Sequence, residues 1–263
     1  MNNDITRMLK DWPYESGKLN VRVIKGDDGE PRIQMRLDLG LLQMCTEGRP
    51  DGQKPRGFDS LLELQESRLD ESVEKGKDSE FVLSEDDCRE LREEAVQYYH
   101  RYMALLVMDD FEGVVRDTSR NLRVLDLCGK HASTEADRHA LEPFRAYITM
   151  MRARALASQA LKDNEPKAAI HAIDEGLEAL RRHFDEHESG ISGGAGAPGG
   201  GGGGGSFEQS QEVQLLRSMR DSLVPKLPMS QKGELKKRLA DALAAENYEL
   251  AAILRDELAA LKD

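Results

Sequence analysis

His183 and His187 stand four residues apart with Asp185 and Glu186 between them, a spacing at which two imidazoles on one helical face can share a metal ion. No third ligand accompanies them at such a spacing, and basic side chains near a helix C-terminus are favoured by the helix dipole without any metal. The pair is therefore expected to decorate a solvated helix end. Asp109, Asp110 and Glu112 form an acidic knot that has neither the spacing nor the glycine of a calcium loop, so a turn between helices is expected there. The glycine run 199–205 lacks the Lys-Ser or Lys-Thr pair and the preceding strand of a phosphate loop. Cys45, Cys88 and Cys128 lie about forty residues apart with no C-x-x-C pair, which reads as isolated thiols in a reducing compartment. No serine, cysteine or lysine has a base at a recognisable motif spacing, and no pair of carboxylates stands out from the general acidity. The residues point away from catalysis, from a cofactor and from a metal site.

The densest aromatic and basic cluster is Tyr98, Tyr99, His100, Arg101 and Tyr102. On a helix these five cannot all face inward, so packing with surface decoration is expected, and a binding groove is the alternative.

The elements that position these residues are mostly helical. Apolar residues make up 39% of the chain and charged residues 33%, with only 5% aromatic, a composition suited to helices with solvated faces. Segments 19–25 and 32–38 alternate apolar and polar residues around the turn 26–29, the signature of a β-hairpin. Ile33, Met35, Leu37 and Leu39 are expected on one face, with Arg32, Gln34, Arg36 and Asp38 toward water. Two strands alone are marginal, so the ribbon must pack on helices, gain another strand or pair with a second copy.

Residues 45–57 are turn-rich. Ser60 and Glu63 then suit a capping box for a short helix carrying Leu61, Leu62 and Leu64, before the charged run 70–78. From Ser84, followed by Glu85, Asp86 and Asp87, the period becomes helical. Helices are expected near 85–108, 110–128, 134–162 and 165–187, the last opened by Asn164 and Pro166. Segments 103–117 and 155–169 each run from small and aliphatic residues through an acidic turn into a second helix. This resembles tetratricopeptide-type helical pairs, which stack into arrays with a concave peptide-binding face. The offset is about fifty residues rather than the usual 34, and a plain helical bundle is the alternative.

Residues 190–206 hold eleven glycines, a composition that behaves as a random-coil tether. The organisation expected is a β-hairpin region at 1–57, a helix and charged connector at 58–83, a repeat-like helical body at 84–189, the linker at 190–206, a further helix within 207–228 and a terminal helical hairpin at 229–263. Ser206 and Gln209 are expected to cap that further helix, which carries Val213, Leu215, Leu216, Met219 and Leu223 up to Pro225.

The charge limits the partners. Forty-nine acidic against 37 basic side chains give a net charge of −12, and that field repels phosphate backbones and anionic lipid. No direct nucleic-acid or membrane partner is expected. The first thirty residues have no apolar core of a signal peptide, and no stretch approaches the roughly 20 apolar residues of a membrane span, so a cytoplasmic protein is expected.

In the terminal segment, Leu235, Leu239, Ala242 and Leu243 share one helical face, Glu246 and Asn247 make a turn, and Leu250, Ala251, Leu254, Leu258 and Leu261 form a second stripe with Ile253 beside it. Helices joined by so short a turn fold back antiparallel, each covering the other's stripe. So small a unit leaves apolar surface that a partner must cover. The residues from Leu235 to Leu261, above all the run 247–258, resemble the UVR motif, the helical hairpin found at the C-terminus of the excision-repair helicase subunit UvrB and within its nuclease partner UvrC. Tyr248, Glu249, Ala251, Ala252, Leu254, Arg255, Asp256, Leu258 and Leu261 carry the resemblance. It implies protein–protein docking: pairing with another such hairpin, as in UvrB, UvrC or a Clp-type stress ATPase, or with a second copy of itself. The helicase motifs of UvrB, the nuclease domains of UvrC and the C-x-x-C zinc pairs of the activator of a protein-arginine kinase, another protein in which such a hairpin serves as an adaptor, are absent from this sequence. The expectation is a non-enzymatic cytoplasmic bacterial adaptor whose protein-binding residues are Leu235, Leu239, Leu243, Ile253 and those that carry the resemblance. A homo-oligomer built through its own hairpins and an accessory factor of excision repair are the alternatives.

Overall fold

The computed structural model describes residues 4–189 and 206–223 and, beyond them, Leu239, Ala240, Ala244 and Arg255. The chain divides into two units, Met1–Arg220 and Asp221–Asp263. The first is mainly helical with a three-stranded antiparallel sheet near its N-terminus.

The sheet runs β1 (Asn20–Lys25), β2 (Pro31–Arg36) and β3 (Leu41–Cys45), in that spatial order. The expected hairpin is β1–β2, closed by Gly26 N–H donating to the Glu30 carbonyl at 2.8 Å. Gly29 sits at φ +86°, which a side chain would disfavour. The hairpin gains a third strand and also packs on a helix, so Ile33, Met35 and Met44 are buried. The expected faces need correction. Leu37 and Leu39 lie beyond the end of β2 and are exposed, while Gln34 and Arg36 are buried. The polar face is covered by the segment after a short helix, α1 (Thr6–Asp11). Arg36 Nε donates to the Trp12 carbonyl at 2.9 Å, the Arg22 guanidinium lies 4.0 Å from the Trp12 ring centre, and the Gln34 side chain links Arg22 to Gln43 at 2.8 Å each.

Helix α2 (Leu61–Glu74) starts at Ser60, whose hydroxyl accepts from the Glu63 N–H at 3.1 Å. It runs into the charged segment before Gly76, at φ +65°, ends it. Helix α3 (Glu85–Val107) opens with a full capping box between Ser84 and Asp87. Two orphan N–H groups are thereby satisfied at one helix end. Helix α4 (Phe111–His131) is capped by Asp110, which accepts from the Gly113 N–H at 3.0 Å. The single helix expected over 134–162 is broken into α5 (Glu135–His139), a 3-10 turn at Glu142–Phe144 and α6 (Arg145–Lys162). Pro143 is the cause: it has no N–H for an α-helical ladder and disfavours helical geometry at the residue before it. Helix α7 (Pro166–Ser189) follows, with proline at its first position as expected. Helix α8 (Gln211–Leu223) begins later than expected, because Phe207–Gln209 forms a 3-10 turn and Ser210, not Ser206, accepts from the Val213 N–H, at 3.4 Å.

The likeness between 103–117 and 155–169 has a structural basis. Asp109 and Asn164 both adopt positive φ, 55° and 61°. After each, Asp110 N–H reaches back to the Leu105 carbonyl at 3.0 Å and Glu165 N–H to the Ala160 carbonyl at 2.7 Å. These are two copies of one helix-ending turn with a left-handed residue. The buried positions of the following helices coincide at the same offset: Val114 with Ala169, Thr118 with Ile173, Asn121 with Gly176 and Leu125 with Leu180. The α3–α4 and α6–α7 hairpins thus repeat one plan, and α4 packs on α6 to join them. A Cβ placed on Gly176 would stand 2.4 Å from the Ala153 Cβ and 3.3 Å from Leu216 Cδ1, so the glycine lets α6, α7 and α8 approach closely.

A compact apolar cluster sits under α2, with Leu62, Leu83, Cys88, Leu91 and Val124 fully buried. Each such aliphatic side chain contributes about 1.5–3 kcal/mol of burial. Leu83 and Ala132 make an isolated parallel bridge that ties the segment before α3 to the end of α4. The glycine linker, apart from Ser206, and most of the terminal hairpin lie outside the described residues.

Candidate protein-interaction sites

The cluster on α3 divides as helical geometry requires. Tyr98, Arg101 and Tyr102 turn into the core, whereas Tyr99 is exposed and His100 half-buried. Burial raises the Tyr98 and Tyr102 hydroxyls above the usual tyrosine range and lowers His100.

The inward members belong to a buried charge network. Arg101 makes paired bonds to Asp117 of α4, Nε to Oδ2 at 2.7 Å and NH2 to Oδ1 at 2.8 Å. Its remaining nitrogen donates to the Cys45 and Gly48 carbonyls at 3.1 and 2.8 Å, lashing the loop after β3 to the helices. Arg116 reinforces that tie, bonding Glu47 at 2.9 Å and the Thr46 carbonyl at 3.1 Å. Arg101 and Arg120 flank the Tyr98 ring, 4.8 and 4.1 Å from its centre. Arg120 then pairs with Glu94 of α3, and Glu94 Oε1 accepts the first N–H of α2, from Leu61, at 2.8 Å. One carboxylate therefore serves an ion pair and a helix N-terminus together. This is structural chemistry, since each charge holds a loop or a helix end.

Asp110 of the acidic knot is the cap of α4. Cys88 and Cys128 share a hydrogen bond in the core; burial raises the Cys88 thiol, and burial with the neighbouring Cys88 pushes Cys128 up to about 12. His183 is half-buried on α7, while the side chain of His187 lies outside the described residues. Among the described residues no group of three or more His, Cys, Asp or Glu is placed to hold a metal ion, and no helix is long and apolar enough to cross a membrane. One recess beside the loop after β3 measures about 240 Å³ and is lined by Arg32, Arg49, Lys54, Glu30, Glu47 and Asp59 among others. That mixed charge contrasts with the mostly apolar lining of small-molecule sites.

Sequence reasoning missed the buried network, although its signal was present. Leu91, Glu94, Ala95, Tyr98, Arg101, Tyr102 and Leu105 recur at the three- and four-residue steps of a core stripe. The two charges on that stripe needed partners, and Asp117 and Arg120 supply them from α4.

Of the expected protein-binding residues, Leu239 and Arg255 are described: both are helical, Leu239 half-buried and Arg255 exposed. Leu235, Leu243, Tyr248, Glu249, Ala251, Ala252, Ile253, Leu254, Asp256, Leu258 and Leu261 lie outside the described residues. The segment that holds them is matched by a family model, the UvrB/uvrC motif, over residues 230–263. No curated protein and no solved structure matches the chain.

Proposed function

We propose that the chain is a non-enzymatic adaptor: its helical body engages one protein, and residues 230–263 dock onto a UVR-type hairpin of a second. The observation that carries this reading is the UvrB/uvrC motif match at 230–263, a protein-interaction module. It follows α8, the helix that comes after the glycine-rich segment and packs beside Asp174 and Gly176 of α7. Carrying both binding regions on one chain raises the effective concentration of one partner near the other. The buried network adds support from the body, because its conspicuous charges are spent on fixing loops and helix ends.

The body resembles a tetratricopeptide-type array in repeating one helical hairpin, and such arrays bind peptides. A cytoplasmic setting in a bacterium fits the reduced cysteines and the motif. Static light scattering over a hundredfold concentration range tests the adaptor against a homo-oligomer. The adaptor gives a monomer mass alone and a mixed complex once a protein bearing a UVR hairpin is added. A mass that doubles with concentration, and stays monomeric in a chain ending at residue 229, assigns the hairpin to self-pairing instead.

A further inference from the structure

β1 is an outer strand, and its register shows which backbone groups it leaves open. Gly26 bonds Glu30, and the next pair sets Lys25 opposite Pro31, which has no N–H. Bonded and unbonded pairs alternate along an antiparallel ladder. Asn20, Arg22 and Ile24 therefore bond to β2, while Val21, Val23 and Lys25 direct their N–H and C=O groups outward. Among the described residues no backbone hydrogen bond meets Val21 or Val23 on that side. The opposite edge differs: at Cys45 of β3 the N–H donates to the Pro50 carbonyl at 2.8 Å and the carbonyl accepts from Arg101 at 3.1 Å.

Val21 and Val23 give the open edge two apolar side chains. Val21 and Val23 share a face with Ile33, Met35 and Met44 by register. Ile33, Met35 and Met44 are buried, yet Val23 is left 55% exposed and Leu19, just before the strand, 43%. Natural edge strands of this kind are usually blunted by charge. Over residues 19–25 the charges are Arg22 and Lys25, both positive. Neither has a carboxylate partner among the described residues; Arg22 contacts Trp12 and Gln34. Arg22 lies on the face opposite the valines and Lys25 on theirs; a second copy would bring the same cations to this edge, whereas an acidic strand meets Arg22 with opposite charge.

We propose that β1 is a docking edge for an extended segment of another protein in which aliphatic residues alternate with carboxylates. The segment adds a fourth strand through the open groups of Val21 and Val23, lays its aliphatic side chains beside theirs, and turns its carboxylates, on the opposite face, to Arg22. This gives the body's client in the adaptor reading a chemistry, and rests on that reading only for its biological use. A chain ending at residue 229 must bind the segment as well as the full chain does, so failure of one idea is distinguishable from failure of the other.

The test is a fluorescence-anisotropy titration of the full chain with a labelled peptide of alternating Glu and Val, seven residues long. Saturable binding is expected, and none at the same concentrations for a peptide with Lys in place of Glu. Val23→Pro removes one outward N–H and no β1–β2 bond, and is expected to weaken binding about tenfold. Arg22→Gln, which removes the cation on the carboxylate face, is expected to weaken it about threefold. Amide exchange on the unaltered chain reads the same edge without relying on any variant: the Val21 and Val23 amides slow when the peptide is added. Absence of binding, equal binding by Val23→Pro in a folded chain, unchanged exchange, or a concentration-dependent dimer through this edge overturns the proposal.

Discussion

Arg101 of α3 grips Asp117 of α4 through two parallel hydrogen bonds, at 2.7 and 2.8 Å, with both side chains closed off from water. Breaking such a pair by removing one partner leaves a buried charge uncompensated. Asp117→Ala is expected to cost about 3–5 kcal/mol, whereas the double variant Arg101→Met, Asp117→Leu costs less than either single change. Urea denaturation of the three variants reads the difference. Equal losses for single and double variants would mean that the pair is not the source of the effect.

The close approach at Gly176 makes a second prediction. Gly176→Ala places a methyl group 2.4 Å from the Ala153 Cβ and is expected to destabilise by about 1–3 kcal/mol through overpacking. Ala153→Gly in the same chain removes the clash, so thermal melts of the double variant recover part of the loss. No recovery would place the strain elsewhere.

Ser84→Ala removes the hydroxyl that accepts the Asp87 N–H and hydrogen-bonds its carboxylate, at 3.1 and 2.7 Å. A loss of about 1 kcal/mol is expected at neutral pH. Burial alone would raise Asp87, but the Ser84 hydroxyl and N–H, with Gln65 and Arg68, outweigh it and hold the carboxyl below the usual range. The native state thus binds this proton less readily than the unfolded chain. Its contribution is present above the usual carboxylate pKa, near 3.8, and is lost as pH falls through the depressed value. The variant's acid-unfolding curve should accordingly be shallower; an unchanged curve contradicts the assignment.

Cys128 gives the opposite sign. Its thiol is raised from 9.0 to about 12, so the folded chain keeps a proton that the unfolded chain releases. The stability this contributes is full below pH 9 and is lost progressively between about 9 and 12. Cys128→Ala should flatten the fall in melting temperature across that window, while its own cavity lowers stability at pH 7.5. An identical alkaline slope in both proteins removes Cys128 as its cause.

The sequence was most legible where one local signal decided the outcome. Ser84 with three following acids marked the start of α3, Pro166 the start of α7, and alternation around the 26–29 turn the β1–β2 pair. It was less legible where tertiary partners decided. Alternation alone assigns Gln34 and Arg36 to water, because nothing local shows that Trp12 folds back over them. The third strand lay within and beside a turn-rich stretch, and the break at Pro143 was hidden by helical periodicity on both sides. The motif at 230–263 was readable from its residue order, because the pattern of aromatic, acid, paired alanines and leucines depends on no distant contact.

Comparative pull-down tests the central claim most directly, with the full chain, a chain ending at residue 229 and a full chain carrying Leu254→Glu and Leu258→Glu as bait in one bacterial extract. The adaptor account predicts proteins bearing UVR-type hairpins that the full chain retains and both altered baits lose, with the body's melting temperature unchanged. Identical sets of proteins on all three baits would contradict it.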